Sequence, residues 1–543
     1  VQSKIESTVD SRKLVWFVFL KVILRMKQNF SHPSGMARLL VAIGFLLLAA
    51  FYATLVWSDQ LTELGGDSAA YLLISRYYSP YHAVSAAVVN FKLGMIAPPL
   101  FPWFLSIVDG GYNLFAAHLV VAFFATASVA ALYFWLRQEA LPIGICAFIA
   151  LIFGVMPSTW FQIFNIWTEF PYLFFSLASV AVVARLNTVD SPRTWYGAAI
   201  LVACATLIRV ASLPLLAAFI LFLLYKRPQR FILIGLVATV PFMIWLAYSA
   251  HTEIGAISYV DQFSAAYSGN PVERFLQQLQ RESKAIVAAW QFGLIGPTFS
   301  SVLPKRASGL GLICICGWLY RLKSLRFDAI YVALYSVMLL LWPHPEEVTR
   351  YSFVIFPFLI ADGFLLVYIV ASRLFGGQRQ MLLVGLFGGV WGILMLPTLL
   401  FDIGRFFEEA PSQLAFAKHR IEWYSGSREA AINSADFQQR FFRDLREADR
   451  IVSANDCIFS IKPPIVTLIT DRISLPPPKT NVDEKQFDAG IQKCRYAYVL
   501  AFVSPSYGES LYPLGRLGGR AKTLTGLSTG NGEMEGGLIE IAR

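Results

Sequence analysis

Glu63-Leu64-Gly65-Gly66-Asp67-Ser68-Ala69-Ala70-Tyr71 follows closely on the first long apolar run, at 37–57. A carboxylate therefore stands at the mouth of a segment long enough to cross a bilayer as helix. Arg76, His82 and Lys92 come next, ahead of the turn-rich Ala97-Pro98-Pro99-Leu100-Phe101-Pro102. Acid and base within one loop, held against a membrane, suit chemistry on a lipid-borne anion.

The rest of the chain supports the membrane reading. Of 543 residues, 56% are hydrophobic and 15% charged, where a soluble protein carries roughly a quarter charged residues. Mean hydropathy is +0.56. Apolar blocks recur at 37–57, 113–136, 141–157, 171–186, 195–208, 212–225, 231–249, 308–320, 327–342, 351–372 and 381–401. This predicts an α-helical polytopic membrane protein with about 11 transmembrane helices. The net charge of +10 needs no nucleic acid as partner, because the cations gather in short connections. Arg137, Arg185 with Arg193, Lys226-Arg227 with Arg230, Arg321 with Lys323 and Arg326, and Arg373 with Arg379 mark alternate loops. Positive loops stay inside, so the N-terminus is expected to be cytoplasmic. Segment 1–36 contains a basic, partly apolar stretch, expected to lie on the cytoplasmic surface as a helix, with no cleavable leader.

The opposite loops hold the acids, including Asp59, Asp67, Asp109, Glu169, Glu346 and Glu347. Arg76, Lys92, Arg209, Lys305, Arg306 and Arg350 are cations on that same side, where orientation supplies no reason for them. Ionisable groups near membrane depth are costly and face a polar cavity or a partner. As a group they suit a phosphate. Two outer loops are long, 58–112 and 250–307. The first is expected to form short surface helices from Asp67 to Tyr78 and from His82 to Leu93. The second is expected to carry a polar helix from Val272 to about Trp290, which could cover a substrate groove. From 402 to 543 the chain turns polar, with strand-like runs at 457–461, 465–469 and 496–503 and helical runs at 435–448 and 484–492. That predicts a small α/β outer domain, in which Cys457 and Cys494 could pair if the compartment is oxidising.

Three motifs stand at span mouths: Gly66-Asp67 with Tyr71, Trp167-Thr168-Glu169-Phe170-Pro171-Tyr172, and His344-Pro345-Glu346-Glu347-Val348-Thr349-Arg350-Tyr351. With the Pro-Pro-Leu-Phe-Pro run and Arg209 at a chain reversal, their order resembles the GT-C superfamily of polyprenyl-phosphate-sugar-dependent glycosyltransferases. The likeness is greatest to lipid A aminoarabinose transferases and protein O-mannosyltransferases. The resemblance implies a GT-C transmembrane domain at 37–401 with 58–112 as active-site loop, and a periplasmic domain at 402–543. It implies inverting transfer of a sugar from a polyprenyl-phosphate donor to a cell-envelope glycolipid or polysaccharide at the outer face of the inner membrane. Asp67 matches the first-loop catalytic aspartate, and Glu169 the second acidic position. Arg76, Lys92, Arg209, His344 and Arg350 are candidates for the donor phosphate. Tyr71, His82, Glu346 and Tyr351 are candidates for substrate contact. The sequence departs from the aminoarabinose transferases in having Ala97, not Lys, before its Pro-Pro, and has Ser68 where many relatives pair the aspartate with Glu. A divalent metal is possible but unsupported, since an isolated Asp offers few oxygen ligands. The rival readings are a transporter or flippase of lipid-linked saccharides, and a protein O-glycosyltransferase. A transporter would place charges in mid-span and break helices in matching halves, whereas here the acids crowd one side.

Overall fold

The computed structural model describes residues 35–542 apart from 63–65, 95–96, 187–188, 253–270, 301–303, 376, 426, 454, 479–481, 501–513 and 529–533. The expected surface helix within 1–34, and residues 253–270 and 301–303 of the second long loop, lie outside the described residues; the polar helix expected from Val272 is present within Pro271–Ser300.

The chain opens with α1 (Gly35–Leu55) and then three short helices, α2 (Asp67–Tyr77), α3 (Ala86–Gly94) and α4 (Leu100–Ile107). Helix α3 begins four residues later than the sequence pattern suggests, because the Ser85 hydroxyl accepts from the Val88 amide and fixes the start there. A bundle follows: α5 (Leu114–Gln138), α6 (Ile143–Gly154), α7 (Pro157–Ile163), α8 (Glu169–Arg185), α9 (Pro192–Thr206), α10 (Leu213–Lys226) and α11 (Phe231–Thr252). It is completed by α12 (Pro271–Ser300), α13 (Pro304–Lys323), α14 (Phe327–Leu340), α15 (Val348–Ser352), α16 (Phe356–Leu374) and α17 (Gln378–Phe407).

Among the described residues five segments are long and apolar enough to cross a membrane: Gly35–Leu55, Leu114–Gln138, Pro228–Ser249, Val348–Leu374 and Gln378–Phe407. Helices α6 and α7, bent by 57° at their junction, would together make a sixth. The other expected spans are helices too, but α8, α9, α10 and α14 have 17, 15, 14 and 14 residues. At 1.5 Å per residue these are shorter than a typical hydrocarbon core.

Local chemistry sets several helix starts. Asn113 caps α5 by accepting from the Ala116 amide at 3.1 Å, and Ser191 caps α9 with Pro192 at the first position. Small residues set the closest helix approach. A Cβ on Gly317 of α13 would lie 2.2 Å from the Asp362 carbonyl oxygen of α16, so only glycine lets these backbones meet. At the end of α5 and α13 a buried ionic cluster replaces the simple orienting charge the sequence suggests. Arg321 donates to Glu139 at 3.0 Å and to Asp328 at 2.6 Å, and Arg326 also reaches Glu139 at 2.7 Å.

Beyond α17 lie α18 (Arg428–Ile451), β1 (Ile458–Phe459), α19 (Pro463–Thr470), β2 (Ser474–Leu475), α20 (Glu484–Ile491), β3 (Tyr496–Leu500), β4 (Ala521–Thr523), β5 (Leu527–Ser528) and β6 (Met534–Ile541). The run 465–469 is helix, not the expected strand. Pro463 and Pro464 suit the first turn of a helix and cannot donate to a sheet ladder, and burial of Ile465, Val466 and Thr467 overrides their β-branched preference. The sheet order is β2-β1-β3-β6-β4, with β5 also pairing β6. Strands β1, β2 and β3 are parallel, and β6 runs antiparallel to β3. Cys457 and Cys494 form a disulfide, their Cα atoms 5.0 Å apart. Side chains alternate across the sheet. Phe459, Ala497 and Ile539 pack with Phe487 and Ile491 on one face. Ile458, Tyr498 and Leu538 on the other face join the apolar core that runs through α18 and α19 into the membrane bundle. The α/β unit is therefore cored partly by the bundle on which it sits.

Candidate active site

Two helix starts and two helix breaks build the site. Gly66 adopts φ 106 immediately before α2, a left-handed conformation that glycine takes without strain. Asp67 is then the first residue of α2, and Glu169 the first of α8. Carboxylates are favoured there by the unpaired amides and the helix dipole. Arg209 lies in extended backbone (φ −154, ψ 135) between α9 and the 3-10 turn Val210–Ser212. The Pro98-Pro99 turn is tied to this reversal, since the Leu100 amide donates to the Leu207 carbonyl at 2.9 Å. Arg350 occupies the five-residue helix α15.

These residues meet. Arg350 donates through Nε to Glu169 Oε1 at 2.5 Å and through Nη2 to Oε2 at 3.4 Å, while its Nη1 reaches Asp67 Oδ2. Arg209 Nη1 donates to the same Glu169 Oε1 at 2.8 Å. One carboxylate is thus held between two guanidiniums, and one guanidinium joins both acids. Aromatic faces complete the enclosure. Arg350 lies 4.0 Å over the Trp167 ring and Arg209 4.3 Å over the Tyr351 ring, whose hydroxyl donates to Glu347. Beneath, the Tyr172 and Tyr331 hydroxyls are 2.8 Å apart and Tyr335 donates to the Tyr351 carbonyl at 3.2 Å.

Exposure separates the two acids. The Glu169 side chain is 1% exposed and the Asp67 side chain 46%. Glu169 anchors the arginines, and Asp67 is the acid an incoming molecule can reach. Burial alone would raise the Asp67 carboxyl, but Arg350, with Arg209 and Lys462 adding to it, holds it below its ordinary value. Asp67 is therefore a carboxylate at neutral pH and accepts hydrogen bonds. Tyr71 packs edge-on against Phe101 at 5.4 Å, close enough to Asp67, Arg350 and Glu169 for their charges to act on its hydroxyl, whose pKa burial raises.

Arg76, Lys92 and His82 are engaged elsewhere. Arg76 donates to the Gly111 carbonyl at 2.8 Å and the Leu468 carbonyl at 3.3 Å, and lies over the Tyr112 ring. It braces the loop 58–112 against α19. Lys92 is 6% exposed and 5.6 Å from the Tyr248 ring centroid, and burial lowers its pKa. His82 pairs with Asp109 at 3.1 Å and packs on Tyr112. His344 precedes the turn Pro345–Glu347 that leads into α15, and the Glu346 side chain lies outside the described residues. Among the described residues no three His, Cys, Asp or Glu side chains come together as a metal-ligand set.

One residue of the site was not singled out by its sequence. Lys462, at the start of α19, has its Cδ 3.7 Å from where a Cβ on Gly66 would stand, and its charge acts on Asp67. It lies in a polar region where a lysine is unremarked. The signal that was available is its place directly before two prolines that open a helix.

No protein-family model matches the sequence, and no curated protein matches it. Among solved structures, the chain is similar to ArnT from Cupriavidus metallidurans bound to undecaprenyl phosphate, with a TM-score of 0.50 at 11% identity over 92% of this chain and 97% of that one. The apo state of the same protein gives a TM-score of 0.48 at 11% identity, again over 92% and 97%. The Archaeoglobus fulgidus oligosaccharyltransferase complex with Zn and sulfate gives 0.42 at 12% identity, over 91% and 72%. At such identity the likeness to the undecaprenyl-phosphate complex is one of fold. The chain shares the fold of that structure.

Proposed function

We propose that the chain is an inverting membrane glycosyltransferase. It takes a sugar from a polyprenyl phosphate and delivers it to a hydroxyl of a cell-envelope glycolipid or polysaccharide at the outer face of the inner membrane. The observation that carries this reading is the joining of half-exposed Asp67 and buried Glu169 through Arg350, with Arg209 behind them. The acceptor hydroxyl hydrogen-bonds to Asp67, which orients it and takes its proton as the oxygen attacks the anomeric carbon. The bond from that carbon to the phosphate oxygen breaks on the opposite face, and the departing polyprenyl phosphate keeps the electron pair. Cations near the site stabilise the charge that develops there. Glu169 fixes the two arginines and does not take a proton in this scheme.

The Cys457–Cys494 disulfide supports an oxidising, periplasmic side for the α/β domain, with an odd number of spans (eleven by sequence) and a cytoplasmic N-terminus. ArnT, which has this fold, has been captured with undecaprenyl phosphate, and that supports a polyprenyl-phosphate donor here. The test is reconstitution of the full chain with purified polyprenyl-phosphate sugars and envelope glycolipid, read by mass spectrometry. Appearance of a glycosylated lipid and free polyprenyl phosphate is expected. Movement of an intact lipid-linked sugar across the bilayer without transfer would establish the flippase reading instead. Transfer to polypeptide alone would establish protein O-glycosylation.

A further inference from the structure

The end of the bundle away from Asp67 carries a groove that the sugar-transfer site does not use. Helix α10 begins shortly after Arg209 and ends at Lys226, and α14 begins after Arg326 and ends shortly before Arg350. Each has 14 residues, which at 1.5 Å per residue sets its far end about 20 Å from the site. There α10 packs on α14 through Phe219 and Phe222, whose ring centroids lie 5.9 and 5.8 Å from that of Phe327. Beside this contact the ends of α10 and α13 and the flank of α14 enclose a groove of about 330 Å³. Leu221 and Tyr225 of α10, Leu322 of α13, Leu325 of the following turn, and Ala333 and Leu334 of α14 line it. Its walls are apolar and its mouth is open, with Tyr225 and Leu325 both exposed.

On the surface of a membrane bundle such a groove meets acyl chains, and tyrosines such as Tyr225 gather at headgroup level. The rim is cationic. Lys226 Nζ lies 4.6 Å from the centroid of the Tyr225 ring, and Lys323 directly follows Leu322. Both lysines are exposed, and among the described residues no carboxylate pairs with either. The cations beside them are engaged: Arg227 pairs with Asp190, and Arg321 and Arg326 pair with Glu139. Helix length adds to the demand for a headgroup here. A 14-residue helix spans about 21 Å, against about 30 Å of hydrocarbon. A cation at its end therefore snorkels, or draws headgroups inward and thins the leaflet. Leu325 points the same way. It ends α13 at φ 49, a left-handed conformation that strains a leucine and usually falls to glycine. Its side chain is nevertheless left exposed by the chain's own packing, so a ligand in the groove is what it would cover. The N-terminal stretch, with Lys13, Lys21, Arg25 and Lys27, would bring like charge to this rim, which disfavours it as the occupant.

We propose that this groove binds an anionic phospholipid of the cytoplasmic leaflet, the side to which loop charge assigns this end of the bundle. One acyl chain lies against Leu325 and Ala333, and the headgroup meets Lys226 and Lys323. Sugar transfer has no part in the inference. The full chain, delipidated in mild detergent, is titrated with dioleoyl phosphatidylglycerol and, separately, with dioleoyl phosphatidylcholine, and bound lipid is counted by native mass spectrometry. The tails are identical, so any difference reads the headgroup. The wild type is expected to prefer phosphatidylglycerol about 25-fold, about fivefold for each cation near an anionic headgroup. Lys226→Gln combined with Lys323→Gln is expected to bring the two lipids to about equal affinity by weakening phosphatidylglycerol alone. Lys226→Arg combined with Lys323→Arg is expected to stay within about threefold of wild type, since the charges remain. Ala333→Phe, which fills the floor of the groove, is expected to weaken both lipids alike. Equal binding of the two lipids by the wild type would overturn the proposal, as would undiminished phosphatidylglycerol binding by the paired Gln variant. Unchanged binding in Ala333→Phe would place the lipid elsewhere and overturn it too. So would a photo-crosslinker at position 325 that captures residues 1–34 or a second copy of the chain in place of lipid.

Discussion

Replacing Arg350 with Gln removes the group on which the two acids converge, and the structure sets the size of the effect. Its partner Glu169 is 1% exposed and Arg350 15%. Breaking a buried ion pair by deleting one member costs about 3–5 kcal/mol, because the other charge remains in a medium of low polarity. Arg209 still lies 2.8 Å from Glu169, so Arg350→Gln belongs near the lower end, about 3 kcal/mol. Asp67 adds little to this figure. At 46% exposure its pair with Arg350 is screened by solvent and contributes at most about 1 kcal/mol. Glu169→Gln alone leaves two arginines facing a neutral amide and should cost a similar amount. The double variant removes both the buried acid and one of the two cations, so it should cost less than the sum by about 1.5–3 kcal/mol. Unfolding of the four proteins in mixed micelles by SDS, followed by tryptophan fluorescence, supplies the cycle. Additivity within about 0.5 kcal/mol would show that Arg350 and Glu169 do not share an ion pair, and the site as described would be wrong.

Two further outcomes follow from the same geometry. Asp67 has a lowered pKa in the folded chain. Stabilisation from its pairing is therefore fully present above the unfolded aspartate value, about 3.9, and is lost as pH falls through the lower folded value. The acid limb of turnover assigned to Asp67 should accordingly lie below about 3.9. Arg350→Gln should move that limb upward, as burial then dominates; a limb unchanged in pH–rate profiles of the variant contradicts this. Reduction of Cys457–Cys494, which are separated by 37 positions, should destabilise the α/β domain by about 2–4 kcal/mol. Thermal unfolding with and without dithiothreitol, and of Cys457→Ser, measures it; identical transitions would show that the bridge constrains nothing.

The sequence and the structure agree most where an ionisable residue interrupts an apolar run. Asp67, Glu169, Arg209, Arg350, Tyr71 and Tyr351 all stand at such breaks, and all meet at one point of the fold. Cost at membrane depth marks such residues as needing a partner. It does not say which partner, and Arg76, Lys92 and His82 show the consequence. Each satisfies the same rule, yet they are met by the Leu468 carbonyl, the Tyr248 ring and Asp109. One of the two carbonyl partners of Arg76, that of Leu468, is 392 positions away, and no local pattern encodes it. Lys462 was illegible for the opposite reason, since a lysine in a polar region carries no desolvation signal. The strand-like run at 465–469 was misread because β-branched composition outweighed the two prolines before it, whereas packing of α19 on α2 decides the matter. The short helices α9, α10 and α14 were visible as apolar runs, but run length alone does not fix how many of them cross the bilayer.

The central claim is that Asp67 receives the acceptor proton in a sugar transfer. Asp67→Asn keeps the size of the side chain and removes the carboxylate. In single-turnover transfer from a saturating polyprenyl-phosphate sugar, the variant should lose a factor of about 10²–10⁴ while its unfolding midpoint and its binding of undecaprenyl phosphate stay close to those of the wild type. Near-normal transfer by Asp67→Asn would contradict the account.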